Sequence, residues 1–175
     1  MAKTLNRQSG WGLVELFLSI IGGMIMISGG IMAYRQIQFS QSLYETSALV
    51  STLATGVINL RGPIGDFEGV DTAWVAERNL LPAPLEAEGS VLRHPLGGPL
   101  TLSSDAPYDS FWMTLQNVPG NACRRVFDLS RGELQLANDR LLGIAINGTY
   151  YVLDVMDPDV STCVEEGNTI RLEFS

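Results

Sequence analysis

The stretch RQSGWGLVELFLSIIGGMIMISGG, Arg7 to Gly30, places one carboxylate, Glu15, near the start of a run otherwise suited to hydrocarbon. From Leu16 to Tyr34 there is no charge, and these 19 residues approach the roughly 20 that a helix needs to cross a bilayer. Lys3 and Arg7 precede the run, so the positive-inside bias puts the N-terminus in the cytoplasm and everything after Tyr34 outside.

Three readings of this segment compete. A secretory signal peptide would use Ser28-Gly29-Gly30 as its small-residue cleavage site, but a carboxylate inside the apolar middle argues against it. A plain membrane anchor tolerates Glu15 near its cytoplasmic end, where the helix N-terminus favours negative charge by about 0.3–1 kcal/mol. That reading leaves the residues before Glu15 unexplained. The third uses all of Ser9-Gly10-Trp11-Gly12-Leu13-Val14-Glu15: a short basic polar leader, a glycine, a large aromatic, and a glutamate at the fifth position counted from that aromatic.

This arrangement resembles the class III leader of type IV prepilins. The resemblance implies that a prepilin peptidase cuts between Gly10 and Trp11 on the cytoplasmic side, removing residues 1–10, and that the new amine of Trp11 is N-methylated. Phenylalanine or methionine usually follows the cut in that family; tryptophan departs from the pattern but keeps a large apolar side chain. Carrying a carboxylate to membrane-core depth costs roughly 2.5–3.5 kcal/mol or more unless it is paired. The natural partner of Glu15 is the Trp11 ammonium of a neighbouring subunit, since pairing neutralises both charges in a low-dielectric bundle. Such a pair adds little net stability but penalises misregistered packing, so its expected role in assembly is to set the axial stagger of subunits.

Beyond Tyr34 the pattern turns amphipathic. Phe39, Leu43, Val50, Leu53, Val57 and Leu60 recur at helical spacing, with Gln41, Glu45, Ser51 and Asn59 between them. Arg61-Gly62-Pro63 supplies a stop signal: a cation in the last turn, then glycine, then proline. One helix is expected from about Trp11 to about Arg61, with residues 11–34 as its membrane or filament-core half and 35–62 as its amphipathic half. Gly22, Gly23, Gly29 and Gly30 each cost about 1 kcal/mol relative to alanine in a helix. They allow close helix packing in a membrane; the pilin resemblance implies in addition that the chain melts between them when subunits enter a filament.

The 175 residues, 46% of them hydrophobic, are enough for one domain with a real core plus the apolar segment. A formal net charge of −8 repels nucleic acid and anionic lipid, so no nucleic-acid partner is expected. Lysine occurs once, at Lys3, so a chain cut after Gly10 has no lysine. Two distant cysteines, Cys123 and Cys163, in a chain with an N-terminal apolar segment suggest an oxidising compartment and one disulfide, two buried thiols being the alternative. With a single distant histidine they cannot supply four ligands to a metal, and no metal or other cofactor is expected.

The globular part, residues 63–175, is rich in Gly, Pro, Asp and short apolar runs. Asp71 to Arg78 reads as a short capped helix ended by Pro82; Leu100–Leu102 and Phe111–Leu115 as strands; Pro119–Leu129 as a helix carrying Cys123. Gly143 to Asp154 splits around Asn147-Gly148, a strong hairpin signal. Thr169–Phe174, with Ile170, Leu172 and Phe174 on one face, makes a last strand. The order is α+β: one long helix, then a mainly antiparallel sheet with short helices.

GDFEGVDTAWVAERNLLP (Gly65 to Pro82), HPLGGPLTL (His94 to Leu102) and FWMTLQNVPGNAC (Phe111 to Cys123) are similar to the type IVb pilins of thin conjugative pili and toxin-coregulated pili. The leader is shorter than those families usually carry. The resemblance implies the type IV pilin fold, with the family's C-terminal disulfide mapping onto Cys123 and Cys163 around an exposed loop region. Closing a loop of about 40 residues contributes roughly 4 kcal/mol in the chain-entropy model.

Other constellations are weaker. Asp154, Asp157 and Asp159 are too few for a calcium loop, and Pro158 suits a solvated turn. Arg124, Arg125, Arg131 and Arg140 form a loose basic group suited to acidic residues of a neighbouring subunit. His94, ahead of Pro95 in a loop, has no nearby base or nucleophile. Asn147-Gly148-Thr149 fits the glycosylation sequon, although the hairpin explains it without a sugar. No nucleophile with its base, phosphate loop or carboxylate pair is legible, so no enzyme is expected.

The resemblance implies a structural subunit that polymerises with itself into an extracellular pilus, inserted first in the inner membrane and handled by the pilus assembly machinery. A minor pilin or secretion-system pseudopilin, and a periplasmic binding protein with an atypical signal peptide, are the alternatives.

Overall fold

The computed structural model describes residues 11–61, 66–81, 91–129, 140–153 and 160–175. The leader with Gly10, the Gly62-Pro63 stop signal, Pro82, Arg131 and the Asp154, Asp157, Asp159 group lie outside the described residues. The chain divides into two compact units, Met1–Ser40 and Gln41–Ser175.

In the first unit the helix α1, which spans Trp11–Arg61, presents only exposed residues from Gly12 to Gln38. Leu13, Phe17, Ile21, Met24, Ile25 and Ile31 are among the large apolar side chains it leaves open to solvent. The helix is long and apolar enough to cross a membrane.

In the second unit α1 continues and becomes one-sided. Leu43, Leu49, Val50, Leu53, Ala54, Val57 and Ile58 are buried, whereas Leu60 is 54% exposed, so the apolar stripe read from the sequence ends a turn earlier than its spacing suggests. Each large aliphatic side chain buried this way contributes about 1.5–3 kcal/mol. Thr46, on the buried side, satisfies its hydroxyl by donating to Ser42 O at 2.7 Å.

Helix α2 (Thr72–Glu77) starts where Asp71, in extended conformation, accepts from Trp74 N at 2.7 Å and so satisfies a free helix-end donor. The strands are β1 (Leu92–Arg93), β2 (Pro99–Ser103), β3 (Phe111–Val118), β4 (Leu141–Ile146), β5 (Thr149–Val152) and β6 (Asn168–Phe174); α3 (Gly120–Leu129) and a 3-10 turn (Val160–Thr162) complete the described elements. They form one six-stranded sheet ordered β1-β2-β3-β6-β4-β5, with every neighbouring pair antiparallel. The architecture is α+β. The last strand sits in the middle of the sheet, paired to β3 through Phe111↔Phe174 and to β4 through Ile144↔Leu172.

Alternation sorts the sheet's faces. Phe111, Met113 and Leu115 of β3, and Ile170, Leu172 and Phe174 of β6, are all fully buried, as are Leu53, Ala54 and Val57 of α1 in the same unit. Phe67, Phe111 and Phe174 form an aromatic run, with ring centroids 5.0 and 5.5 Å apart. Strand β3 outruns its expected end at Leu115 because a bulge with Asn117 at φ 61° carries it on to Val118.

Candidate functional site

Trp11 is the first residue of α1, and Glu15 lies one turn further on, exposed and with no ion-pair partner among the described residues. At 100° per residue every glycine from Gly12 to Gly30 falls within about 80° of Glu15 around the helix axis. Ser19 and Ala33 share that face, while Leu13, Phe17, Met24 and Ile31 lie opposite. A methyl group added at Gly12, Gly22, Gly23, Gly29 or Gly30 would meet nothing within 4 Å in the single chain. Packing inside one chain therefore does not require these glycines. The helix runs through all of them in this state.

The second region surrounds the disulfide. Cys123 of α3 and Cys163 are bonded, 40 residues apart, with their Cα atoms 6.0 Å apart. Both are buried. Gly120 N donates to Glu165 O at 2.8 Å, and a side chain at Gly120 would collide with the Val164 and Glu165 backbone. Asn168, fully buried, donates to Val118 O at 2.9 Å and to Val164 O at 2.8 Å, and accepts from Val164 N at 2.8 Å. Asn147, in the left-handed conformation at φ 50°, donates from Nδ2 to Thr162 O and to Asn168 Oδ1 and accepts from Thr169 N. Two asparagines thus tie the hairpin tip, the end of β3 and the Cys163 segment together. The sequence reading found Asn147 through its hairpin and did not anticipate Asn168; a polar residue opening an otherwise alternating apolar strand was the available signal.

The outer face of the sheet carries a third cluster. Tyr150 crosses above Gly143, where a Cβ would strike its ring, and its hydroxyl donates to Glu173, which also accepts from Ser110 Oγ at 2.9 Å. Burial and the Glu173 carboxylate together push the Tyr150 phenol up to about 12. Arg171 stacks over Trp112 at 4.4 Å and reaches Asp105 at 3.9 Å; Trp112 meets Tyr150 edge-on at 5.8 Å. These groups satisfy one another. At the end of α1, Arg61 donates to Glu68 O and, with Arg78, lies against the Trp74 ring.

Arg124 and Arg125 on α3, and Arg140 before β4, are exposed. Among the described residues no cluster of His, Cys, Asp and Glu could hold a metal ion. His94 lies in the connection between β1 and β2, as expected of a loop residue, but it is buried: it is 2% exposed, with its ring bonded to β3.

A long N-terminal helix, apolar over its first part, lying on an antiparallel sheet with short helices and a disulfide between Cys123 and the segment before the last strand, matches the type IV pilin fold. No protein-family model matches the chain, and no curated protein matches it in sequence.

Proposed function

We propose that this chain is the structural subunit of a type IV pilus, of the type IVb kind, which polymerises into an extracellular filament for attachment to cells or surfaces, including mating contact. The observation that carries the reading is the joint placement of Trp11, Glu15 and the glycine face on one apolar helix, Trp11–Arg61, directly after Gly10 in the sequence. Cleavage after Gly10 creates an ammonium at the helix start. In a bundle of such helices the ammonium of a second copy is the partner proposed for Glu15, because that pair forms only when the copies are in register. The glycines on the same face let that copy approach closely enough for the pair to form.

In this scheme the precursor sits in the inner membrane, prepilin peptidase exposes and methylates Trp11, and the assembly machinery draws the subunit into a helical homopolymer. The outer sheet face and the disulfide-bounded region then face surroundings and neighbours. Melting between Gly22 and Gly30 belongs to the filament state of this proposal.

Replacing Glu15 with Leu tests it. Processing and membrane insertion are expected to continue while filaments disappear; normal filaments from this variant would refute the role given to Glu15. N-terminal analysis of the wild-type product separates the classes: a methylated Trp11 supports the pilin, whereas Ile31 as first residue identifies a cleaved signal peptide. Recovery of the chain as the dominant protein of sheared filaments distinguishes a major subunit from a minor one.

A further inference from the structure

We propose that His94 is a proton-operated latch on the edge of the sheet, closing β2 against β3 with the hydrogen-bond donor that Pro99 lacks. The register Thr101↔Thr114, Leu100↔Leu115 continues to set Pro99 opposite Gln116. Leu102 N points away from β3 and donates to Thr72 Oγ1 at 3.0 Å. The pairs that exchange bonds across β2 and β3 are therefore the alternate ones, Ser103↔Trp112, Thr101↔Thr114 and, next in the series, Pro99 with Gln116. Proline has no N–H to give.

The imidazole takes that place. His94 Nε2 lies 2.8 Å from Gln116 O, and because a carbonyl only accepts, Nε2 carries the proton. The remaining ring nitrogen, Nδ1, is then bare, and it is buried without a partner among the described residues. Gly98 makes the reach feasible. A Cβ there would collide with Gln116 O and lie 2.8 Å from Nε2. The turn is held by His94 N–H to Gly98 O at 3.0 Å and Gly97 N–H to His94 O at 2.8 Å.

A second proton has one place to go, Nδ1, where no acceptor waits. The imidazolium would be a buried cation with an unsatisfied donor, so charging the ring favours its release to water together with the turn that carries it. Among the described residues no carboxylate offsets this. Arg93 of β1 sits on the opposite, exposed side of the strand; the turn and β2 bring only Gly97, Gly98 and Pro99, and β3 brings Gln116 and Asn117. On α2, which packs on β2, Asp71 and Glu77 are both exposed. Burial accordingly holds the basicity of His94 below the ordinary histidine range, against the smaller opposing effect of its bond to Gln116. The sign follows: as pH falls below about 6.5 the opened state binds a proton that the closed state refuses, so the latch weakens progressively until the closed state also protonates.

His94 is the chain's single histidine, so its imidazole signals need no assignment. The test uses the full chain in detergent micelles, following those signals by NMR and the exchange protection of the His94 and Gly97 amides from pH 8 to pH 4. His94 is expected to titrate below 6.5, with protection falling by up to about tenfold per pH unit over the same range. His94→Gln keeps a donor but cannot be charged, and is expected to abolish the pH dependence. Pro99→Ala in a His94→Ala background returns a backbone donor to Gln116 and is expected to restore pH-independent protection. Titration at or above 6.5, or protection that stays constant while His94 protonates, overturns the proposal. The wild-type titration decides even where a variant fails to fold.

Discussion

Asn147 and Asn168 share one hydrogen bond, 2.9 Å from Nδ2 to Oδ1, and through it the tip of the β4–β5 hairpin is fixed to the buried start of β6. Asn168 spends its other hydrogen-bonding capacity on Val118 and Val164, one residue beyond Cys163. Replacing Asn168 with Ala leaves these backbone groups open in the interior, at about 1–3 kcal/mol for each unsatisfied group. A loss of at least about 3 kcal/mol is expected, measured by urea unfolding of the oxidised protein.

Both hydrogens of the Asn147 amide are donated, to Thr162 O and Asn168 Oδ1. A sugar on Nδ2 would remove at least one of those donors. The sequon at Asn147 is therefore expected to stay unmodified in the folded protein, and peptide mass spectrometry of material from a glycosylating host checks this.

The Cys123–Cys163 bond closes a 40-residue separation. Cys123→Ser with Cys163→Ser is expected to cost roughly 4 kcal/mol, acting largely on the unfolded chain. The asparagine contacts to Val164 do not depend on the bond, so the variant is expected to keep the native sheet near neutral pH. Amide exchange of β3 and β6 provides the measurement.

Tyr150 loses its proton only at about 12 while Glu173 faces it. An unfolded tyrosine ionises near 10, so between about 10 and 12 the unfolded state sheds a proton that the folded state keeps. Stability is therefore expected to fall as pH rises through that window. In Glu173→Gln the phenol should ionise at lower pH and the loss should shrink, as read by absorbance titration and by thermal unfolding at alkaline pH.

Gly22 and Gly29 have open space around them in the single chain. Leucine at either site is expected to leave the helix and membrane insertion intact, with helix propensity somewhat improved. Filament yield is expected to drop sharply if the Glu15 face is a helix–helix contact. Electron microscopy of sheared material, beside a Met24→Leu control on the opposite face, reads the outcome.

Much of the fold was legible from spacing over a few residues. The charge-free run with its lone Glu15, the helical stripe through Leu43, Val50, Leu53 and Val57, the Asp71 cap and the Asn147-Gly148 turn all depend on near neighbours, and each appears where the sequence put it. The two-residue β1 and the extension of β3 through Gln116 and Asn117 were not legible: the first is too short to show alternation, and the second breaks it at a bulge.

By itself, then, the sequence determined the long helix, its change from uniformly apolar to one-sided, and the α+β order. Those features follow from helix period, capping and turn chemistry, which act locally. Only the tertiary structure decided that β6 lies between β3 and β4, that Asn168 joins three segments at the disulfide, and that His94 stands in for a proline's missing donor. Such pairings join residues as far apart as His94 and Gln116, Val118 and Asn168, or Phe111 and Phe174, and what selects them is the need to bury both neighbours of a central strand and satisfy every enclosed polar group, which no local spacing records.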